Sequence, residues 1–347
     1  MLLGIALHAA LAYATFGWAV TDPSQSELFN WIFYLVHGFR MQLFFLLSGF
    51  FTAMLYQRYG LKAILRHRLK RVFLPLLLFT PVLTPLVEWI LQLARSKQGG
   101  ADSFNPPPDS SWLENFNFHH LWFLWFLCLM ILGFAVISYL PKPKIHKQWM
   151  SSPRCLLWLI PLTVLPQLWA TRSYPLYGPE SSLSLIPIPS VLIYYAIFYG
   201  FGASLYHYGD EGVAKHWRLK LALAICLLFP SGMIFEWWSF STAPSLQWLS
   251  DLLQVSFTWL MIFACIGLFR EKCTKQSPMM RYLSDASYWL YLAHLPLIFG
   301  LQLALQDWPL SCWIKFPLVN FISFSLLLLS YHYWVKGKFL GRLLNGK

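Results

Sequence analysis

Long apolar runs recur along this chain of 347 residues, and they restrict its fold more than any other feature. A helix needs roughly 20 apolar residues to cross the hydrocarbon core of a bilayer. Inside lipid, a lone segment satisfies its backbone hydrogen bonds only as a helix. We therefore predict an all-α, polytopic membrane helix bundle with about ten transmembrane helices, forming a single domain over residues 1–347. The predicted spans lie near residues 2–20, 31–56, 72–94, 119–140, 155–171, 189–208, 219–239, 248–269, 283–305 and 313–335.

The charge content agrees with a membrane protein. Only 12% of the residues are charged, whereas about 25% are charged in a typical soluble domain. The net charge of +12 does not indicate a nucleic-acid partner, because nucleic-acid binders concentrate their basic residues on a hydrophilic domain. Here the basic residues lie in short segments between apolar runs. We expect membrane lipids around this chain and no nucleic acid bound to it.

The distribution of Lys and Arg predicts the orientation. Most of the 26 basic residues follow the second, fourth, sixth and eighth predicted spans or lie in the C-terminal tail. The intervening segments 21–30 and 240–247 contain none. Because cytoplasmic loops carry the excess of Lys and Arg, we predict that both termini are cytoplasmic. We expect a multi-pass protein of the bacterial inner membrane.

Histidines inside the apolar spans are candidates for catalysis. An ionisable side chain within a span is energetically costly, so it is a functional hypothesis by default. His8 lies in the first span beside the small residues Ala9 and Ala10, and a neutral imidazole there is suited to act as a general base. The structural alternative is a buried histidine bonded to a neighbouring helix. His294, in the ninth span, is the second candidate catalytic histidine.

The second span carries an arginine near the middle of the bilayer. His37 and Arg40 are three residues apart in HGFRMQLFFLLSGFF, so they share one helix face. Arg40 must face a polar cavity or an anionic partner, and we take it as a candidate catalytic residue. The alternative is a structural ion pair with Glu88 or Glu236. His37 and Glu88 are our candidate substrate-binding residues.

Three arginines follow the second span. Arg66, Arg68 and Arg71 are candidate binding residues for a phosphorylated cosubstrate, because guanidinium groups bind phosphate with paired hydrogen bonds. Arg68 and Arg71, three residues apart, share a helix face. The alternative is that these arginines only set the topology and contact anionic lipids.

Two further features have ordinary structural explanations. Ser48-Gly49 in the second span predicts a place where another helix packs closely. His119 and His120 open the fourth predicted span, where an interfacial histidine needs no special function.

Motifs typical of soluble enzymes do not occur in the sequence. It has no HExxH metal motif, no Gly-rich phosphate loop and no serine elbow of the hydrolase type. We expect no metal site and no permanently bound cofactor.

Five sequence features in a fixed order resemble a known family. They are His8 in the first span, followed by FRMQLFFLLSGFF, RHRLKRVFLP, HLWFLWFL and SYWLYLAHLPL. The set resembles the acyltransferase-3 family, integral-membrane enzymes that acylate glycans and other envelope molecules. The wording HGFRMQLFFLLSGFFTA is most similar to the branch that succinylates periplasmic glucans.

The resemblance implies an O-acyltransferase that moves a succinyl or acetyl group from cytoplasmic acyl-CoA to a hydroxyl of a periplasmic glycan. It implies that His8 is the essential histidine of the first span. It also implies that Arg68 and Arg71 are the cytoplasmic Arg-x-x-Arg pair, and that His294 is the late histidine. The alternative function is a secondary transporter of an envelope glycan or lipid, although the chain shows no internal repeat typical of transporters. A purely structural scaffold leaves Arg40 unexplained.

Overall fold

The computed structural model describes residues 2–97, 116–141, 147–171, 177–241, 244–275 and 277–345. These residues form helices and no strand. The α-helices are α1 (Leu2–Leu11), α2 (Glu27–Arg68), α3 (Leu74–Lys97), α4 (Trp122–Ile137), α5 (Lys147–Ser151), α6 (Leu156–Thr171), α7 (Pro189–Tyr208), α8 (Glu211–Ala214), α9 (Trp217–Leu223), α10 (Phe229–Ser241), α11 (Gln247–Lys272), α12 (Pro278–Leu305), α13 (Cys312–Ser330) and α14 (Phe339–Asn345). Single π-helical turns at Leu69–Phe73, Ala224–Leu228 and Tyr331–Val335 join or extend several of them, and short 3-10 turns occur at His119–Leu121, Pro153–Cys155 and Pro244–Leu246.

Six helical stretches within the described ranges are long and apolar enough to cross a membrane. They are Glu27–Lys97, His119–Ile137, Trp217–Ser239, Gln247–Lys272, Pro278–Leu305 and Cys312–Val335. The predicted all-helical membrane architecture is therefore confirmed. The first stretch alone contains two of the predicted spans, 31–56 and 72–94. The count of about ten spans and the cytoplasmic location of both termini stay predictions.

The first predicted span was wrong in its extent, because α1 ends at Leu11 instead of continuing to residue 20. Beyond the helix the chain turns back, and the backbone N–H of Asp22 donates to the carbonyl of Ala12 at 2.9 Å. The Asp22 carboxylate is buried and lies 2.7 Å from Nζ of Lys315 in α13. A buried carboxylate needs such a cationic partner, and the pair holds the returning segment against the bundle.

A turn at Gly60 folds the end of α2 back along the helix. Gly60 has φ 76° and ψ 173°, a conformation that glycine adopts without steric cost. In a straight helix, residues 52 and 68 would be about 24 Å apart along the axis. Instead, Nη2 of Arg68 donates to Oγ1 of Thr52 at 3.0 Å. The arginine-rich end of α2 therefore packs against the bundle.

Two glycines bring the backbones of α2 and α7 into direct contact. A Cβ placed on Gly49 would lie 1.9 Å from the carbonyl oxygen of Tyr199, and one on Gly202 would lie 1.9 Å from that of Leu46. Only a residue without a side chain fits at either position. The close packing predicted at Ser48-Gly49 is confirmed, and Gly202 is its partner on α7. Next to this contact the rings of Phe45 and Tyr195 pack with centroids 4.7 Å apart.

We predict that Gly202→Ala destabilises the protein. The added methyl group must push α7 away from α2, and overpacking of this kind costs about 1–3 kcal/mol. Thermal unfolding in detergent measures the loss. Gly200→Ala is the matched control, because a Cβ there meets nothing within 4 Å. Equal unfolding temperatures for the two variants would contradict the close crossing.

Candidate active site

Three histidines meet inside the bundle, each from a different part of the chain. His8 lies in α1, His120 in the 3-10 turn before α4, and His294 in α12. The centroid of the His294 ring lies 5.2 Å from that of His8 and 5.2 Å from that of His120. The structure therefore brings together the two predicted catalytic histidines and adds a third.

Backbone carbonyls determine which nitrogen of His120 and His294 carries the hydrogen. Nδ1 of His294 lies 2.6 Å from the carbonyl oxygen of Tyr291, and Nε2 of His120 lies 2.9 Å from that of Leu292. A carbonyl oxygen only accepts, so the ring nitrogen facing it is the donor. In the neutral rings the opposite nitrogens keep their lone pairs. These are Nε2 of His294 and Nδ1 of His120, and the latter is buried with no hydrogen-bond partner among the described residues.

A glutamine on α12 fixes the position of His8. Gln302 is buried, and its Nε2 donates to the carbonyls of His8 and Ala9 at 3.0 and 3.1 Å. These carbonyls belong to the last turn of α1, where the helix itself supplies no donors. Gln302 therefore satisfies two carbonyls at the end of α1. Because Gln302 and His294 both belong to α12, this contact holds His8 beside His294.

The Arg40 side chain, from α2, contacts the face of α1 that carries His8. Its Nη1 is 3.0 Å from the position that a Cβ on Gly4 would occupy, so the guanidinium lies directly against the backbone of α1 at this glycine. Gly4 and His8 are four residues apart and therefore share one helix face. Tyr195 and Tyr291 lie within electrostatic range of the guanidinium. Its Nε is buried with no hydrogen-bond partner in the described part of the chain.

The alternative ion pairs for Arg40 were wrong. Oε1 of Glu88 lies 3.0 Å from Nε2 of His119. Oε2 of Glu236 accepts hydrogen bonds from Ser250 at 2.7 Å and Gln254 at 2.7 Å. No carboxylate in the described ranges lies within ion-pair distance of Arg40. The polar and aromatic groups around Arg40, rather than a carboxylate, therefore surround its positive charge.

A left-handed residue gives His119 and His120 different partners. His119 has φ 47°, which is uncommon for a residue with a side chain, and its backbone N–H donates to Oδ1 of Asn117 at 2.7 Å. The His119 ring faces Glu88, whereas the His120 ring faces His294. His120 is only 8% exposed, so the expectation of two ordinary interfacial histidines was wrong for this residue. The Tyr291 hydroxyl donates to the His120 carbonyl at 2.7 Å.

The two predicted substrate-binding residues lie on different helices with different partners. His37 is buried, stacks on Phe33 at 5.1 Å, and has Nε2 3.3 Å from the carbonyl oxygen of Pro179. The next residue back, Gly178, donates its N–H to Oε1 of Gln254 at 2.7 Å. His37 is thus tied to the segment before α7. Glu88, on α3, is half-exposed and adjoins the histidine cluster through His119.

The arginines after the second predicted span form a separate polar region. Arg68 binds Thr52, and its Nε is buried with no partner in the described part of the chain. Nε and Nη2 of Arg71 donate to the carbonyl of Leu344 at 3.2 and 3.0 Å. Arg66 is exposed. Arg68 and Arg71 therefore face the protein, while Arg66 points away from it.

The helix between these two regions sets their separation. Arg40 and Thr52, which contacts Arg68, are 12 residues apart on the continuous part of α2. At 1.5 Å per residue this is about 18 Å along the helix axis. The described residues contain no group of three His, Cys, Asp or Glu side chains placed to share a metal ion.

Comparisons with known proteins agree on one family. The acyltransferase-3 family model, described as an acyltransferase domain, matches residues 1–334. Relatives called glucans biosynthesis protein C from Salmonella gallinarum (strain 287/91 / NCTC 13346) and Salmonella enteritidis PT4 (strain P125109) are each 26% identical to this chain over 312 residues. Each alignment covers 86% of this chain and 79% of the relative. No solved structure matches the chain.

Proposed function

This chain belongs to the acyltransferase-3 family and is a membrane O-acyltransferase, and we propose that it transfers a succinyl or acetyl group from cytoplasmic acyl-CoA to a hydroxyl of a periplasmic glycan. The observation that carries the proposal is the placement of His8 against His294 and Arg40, about 18 Å along α2 from Arg68. The similarity to glucans biosynthesis protein C supports a glucan as the acceptor. Family membership favours the enzyme over the alternative of a transporter.

The donor enters from the side of Arg68 and Arg71. Both guanidinium groups are turned towards the protein, so a ligand that inserts between the helices would meet their positive charges. Arginine binds phosphate through two parallel hydrogen bonds, which suits the phosphates of coenzyme A. The extended pantetheine arm then lies along α2 towards Arg40, a distance comparable to its own length. Arg66 is exposed and contributes long-range attraction to the anionic donor.

His8 acts as the general base. It removes the proton from the acceptor hydroxyl, whose oxygen then forms a bond to the thioester carbonyl carbon. The carbonyl oxygen becomes negative in the tetrahedral intermediate. The bond to sulfur then breaks, the coenzyme A thiolate leaves, and it takes the proton from protonated His8. An ester and free coenzyme A are the products, and no oxidant or reductant is needed.

Arg40 and His294 assist His8 in different ways. The Arg40 guanidinium lies on the His8 face of α1 with an unused N–H at Nε, so it stabilises the negative oxygen of the intermediate. The His294 ring packs against the His8 ring, with centroids 5.2 Å apart, and this contact holds the His8 ring in position. His120 packs on His294 and keeps that ring in place.

The acceptor approaches from the opposite side of the bundle. His37, three residues before Arg40, is tied to the segment before α7 through Pro179. Glu88 adjoins the histidine cluster through His119 and is half-exposed. A carboxylate and an imidazole are suitable hydrogen-bond partners for sugar hydroxyls. We assign His37 and Glu88 to acceptor binding.

We predict that His8→Ala abolishes acyl transfer. Loss of a general base lowers the rate by about 100-fold or more. Mass spectrometry of acylated glycans from cells expressing each variant measures the product, with the protein level in the membrane checked alongside. His207→Ala, at an exposed histidine of α7, serves as the control. Full acylation by His8→Ala at a normal protein level would overturn the assignment.

We predict that Arg68→Gln weakens donor binding more than it slows the chemical step. A hydrogen bond to a charged group contributes about 1.5–3 kcal/mol, which corresponds to a rise in KM for acyl-CoA of about tenfold or more. Initial rates at varied acyl-CoA separate KM from kcat. Lys62→Gln removes an exposed charge from the same segment of α2 and is the control. An unchanged KM for acyl-CoA in Arg68→Gln would remove the phosphate-binding role.

A further inference from the structure

An apolar groove lies between α12 and α13, outside the histidine cluster. Its volume is about 450 Å³, within the range of roughly 300–1,000 Å³ that is usual for small-ligand sites. One wall is a single face of α12, and the other is the end of α13 with the π-helical turn after it. The wall residues include Trp289, Ala293 and Leu297 on α12 and Ser330, Tyr333 and Trp334 opposite them.

The groove offers hydrocarbon contacts and no unused hydrogen-bonding group on its α12 wall. Nε1 of Trp289 donates to Oγ of Ser330 at 2.9 Å, and the Ser330 hydroxyl donates to the Leu327 carbonyl. Both helices belong to the stretches that are apolar enough to cross a membrane. The rim is open, since Tyr333 and Trp334 are 63% and 67% exposed. A hydrocarbon chain is the occupant that matches these walls.

Positive charges lie at one end of the groove. Lys336 follows the wall residue Trp334 by two positions, and its Nζ lies 5.1 Å from the ring centroid of Tyr282. Tyr282 precedes Trp289 by seven residues, so it lies on the same face of α12, about 10 Å along the axis. Gly337 has φ 72° and turns the chain to Lys338, which is also exposed.

The local sequence leaves these charges without acidic neighbours along the chain. Residues 331–345 include Lys336, Lys338 and Arg342 and contain no Asp or Glu. The aromatic residues at the same end, Tyr333 and Trp334, are of the type enriched where a membrane meets water. Exposed lysines at that level attract anionic headgroups. The charge thus selects an anionic lipid over a zwitterionic one.

We propose that this groove binds one membrane phospholipid with a negatively charged headgroup. One acyl chain lies between α12 and α13, and the headgroup lies against Lys336 and Lys338. Ala293 lines the groove, and the next residue is His294, so the bound lipid supports the helix that carries the active-site histidine. This site is distinct from the acyl-transfer site and its existence does not depend on the proposed reaction.

Native mass spectrometry of the purified protein tests the proposal with two probes of identical acyl chains, phosphatidylglycerol and phosphatidylcholine. We expect a single phosphatidylglycerol adduct with an affinity about tenfold above that of phosphatidylcholine. Lys336→Gln/Lys338→Gln should remove the preference, whereas the control Arg58→Gln/Lys62→Gln, at exposed basic residues of α2, should retain it. An equal affinity for the two lipids in the unaltered protein would overturn the proposal.

A second variant tests the groove itself. Ala293→Trp fills the space beside Trp289 and should remove the adducts of both lipids. Leu165→Trp, at a 66% exposed position of α6, is the matched control and should leave them intact. Soluble glycerol 3-phosphate should not displace the lipid, because it lacks the acyl chain. Displacement by it, or retention of the adduct in folded Ala293→Trp, would contradict binding in the groove. If Ala293→Trp does not fold, the lysine variant decides the outcome.

Discussion

The positive charge of Arg40 is the constraint around which the interior of this protein is organised. A guanidinium inside a membrane bundle is costly unless protein groups replace the water around it. No carboxylate in the described ranges does so by pairing with Arg40. Instead, α1 approaches through Gly4, and Tyr195 of α7 and Tyr291 of α12 lie within electrostatic range. Four helices therefore meet at this charge, and the histidine cluster lies on the same face of α1.

Glycines and polar contacts connect this centre with the arginines at the end of α2. Gly49 and Gly202 let α2 and α7 touch through their backbones, which sets the point where the two helices cross. The turn at Gly60 then directs Arg68 back to Thr52. Arg40 and Thr52, which accepts the Arg68 hydrogen bond, lie on the continuous part of α2, so the proposed donor site at Arg68 lies at a set distance from Arg40. The proposed reaction depends on this rigid spacing.

Much of the site was predictable, because a charged or polar side chain in an apolar span is conspicuous. His8, Arg40 and His294 stand out in this way, and Arg68 and Arg71 were indicated both by the phosphate-binding chemistry of arginine and by the family resemblance. His120 was missed because its position at the start of a span suggested an interfacial residue, and only the left-handed backbone at His119 turns it inward. Gln302 was also missed, although it follows His294 by two helical turns and is polar within an apolar run. Its hydrogen bonds to the carbonyls at the end of α1 depend on tertiary packing, which the sequence pattern does not show. The segment that turns back after Leu11 was not predictable either, because the buried pair that holds it, Asp22 and Lys315, joins residues far apart in the sequence.

In the proposed reaction, donor and acceptor reach His8 from opposite sides of the membrane. Sealed vesicles of known orientation test it directly, with labelled acyl-CoA, which does not cross the bilayer, added outside. Inverted vesicles that expose the cytoplasmic face should acylate glucan trapped in their lumen. Right-side-out vesicles given acyl-CoA and glucan together on the outside should form no product. Acylation in those intact right-side-out vesicles would contradict transfer across the membrane.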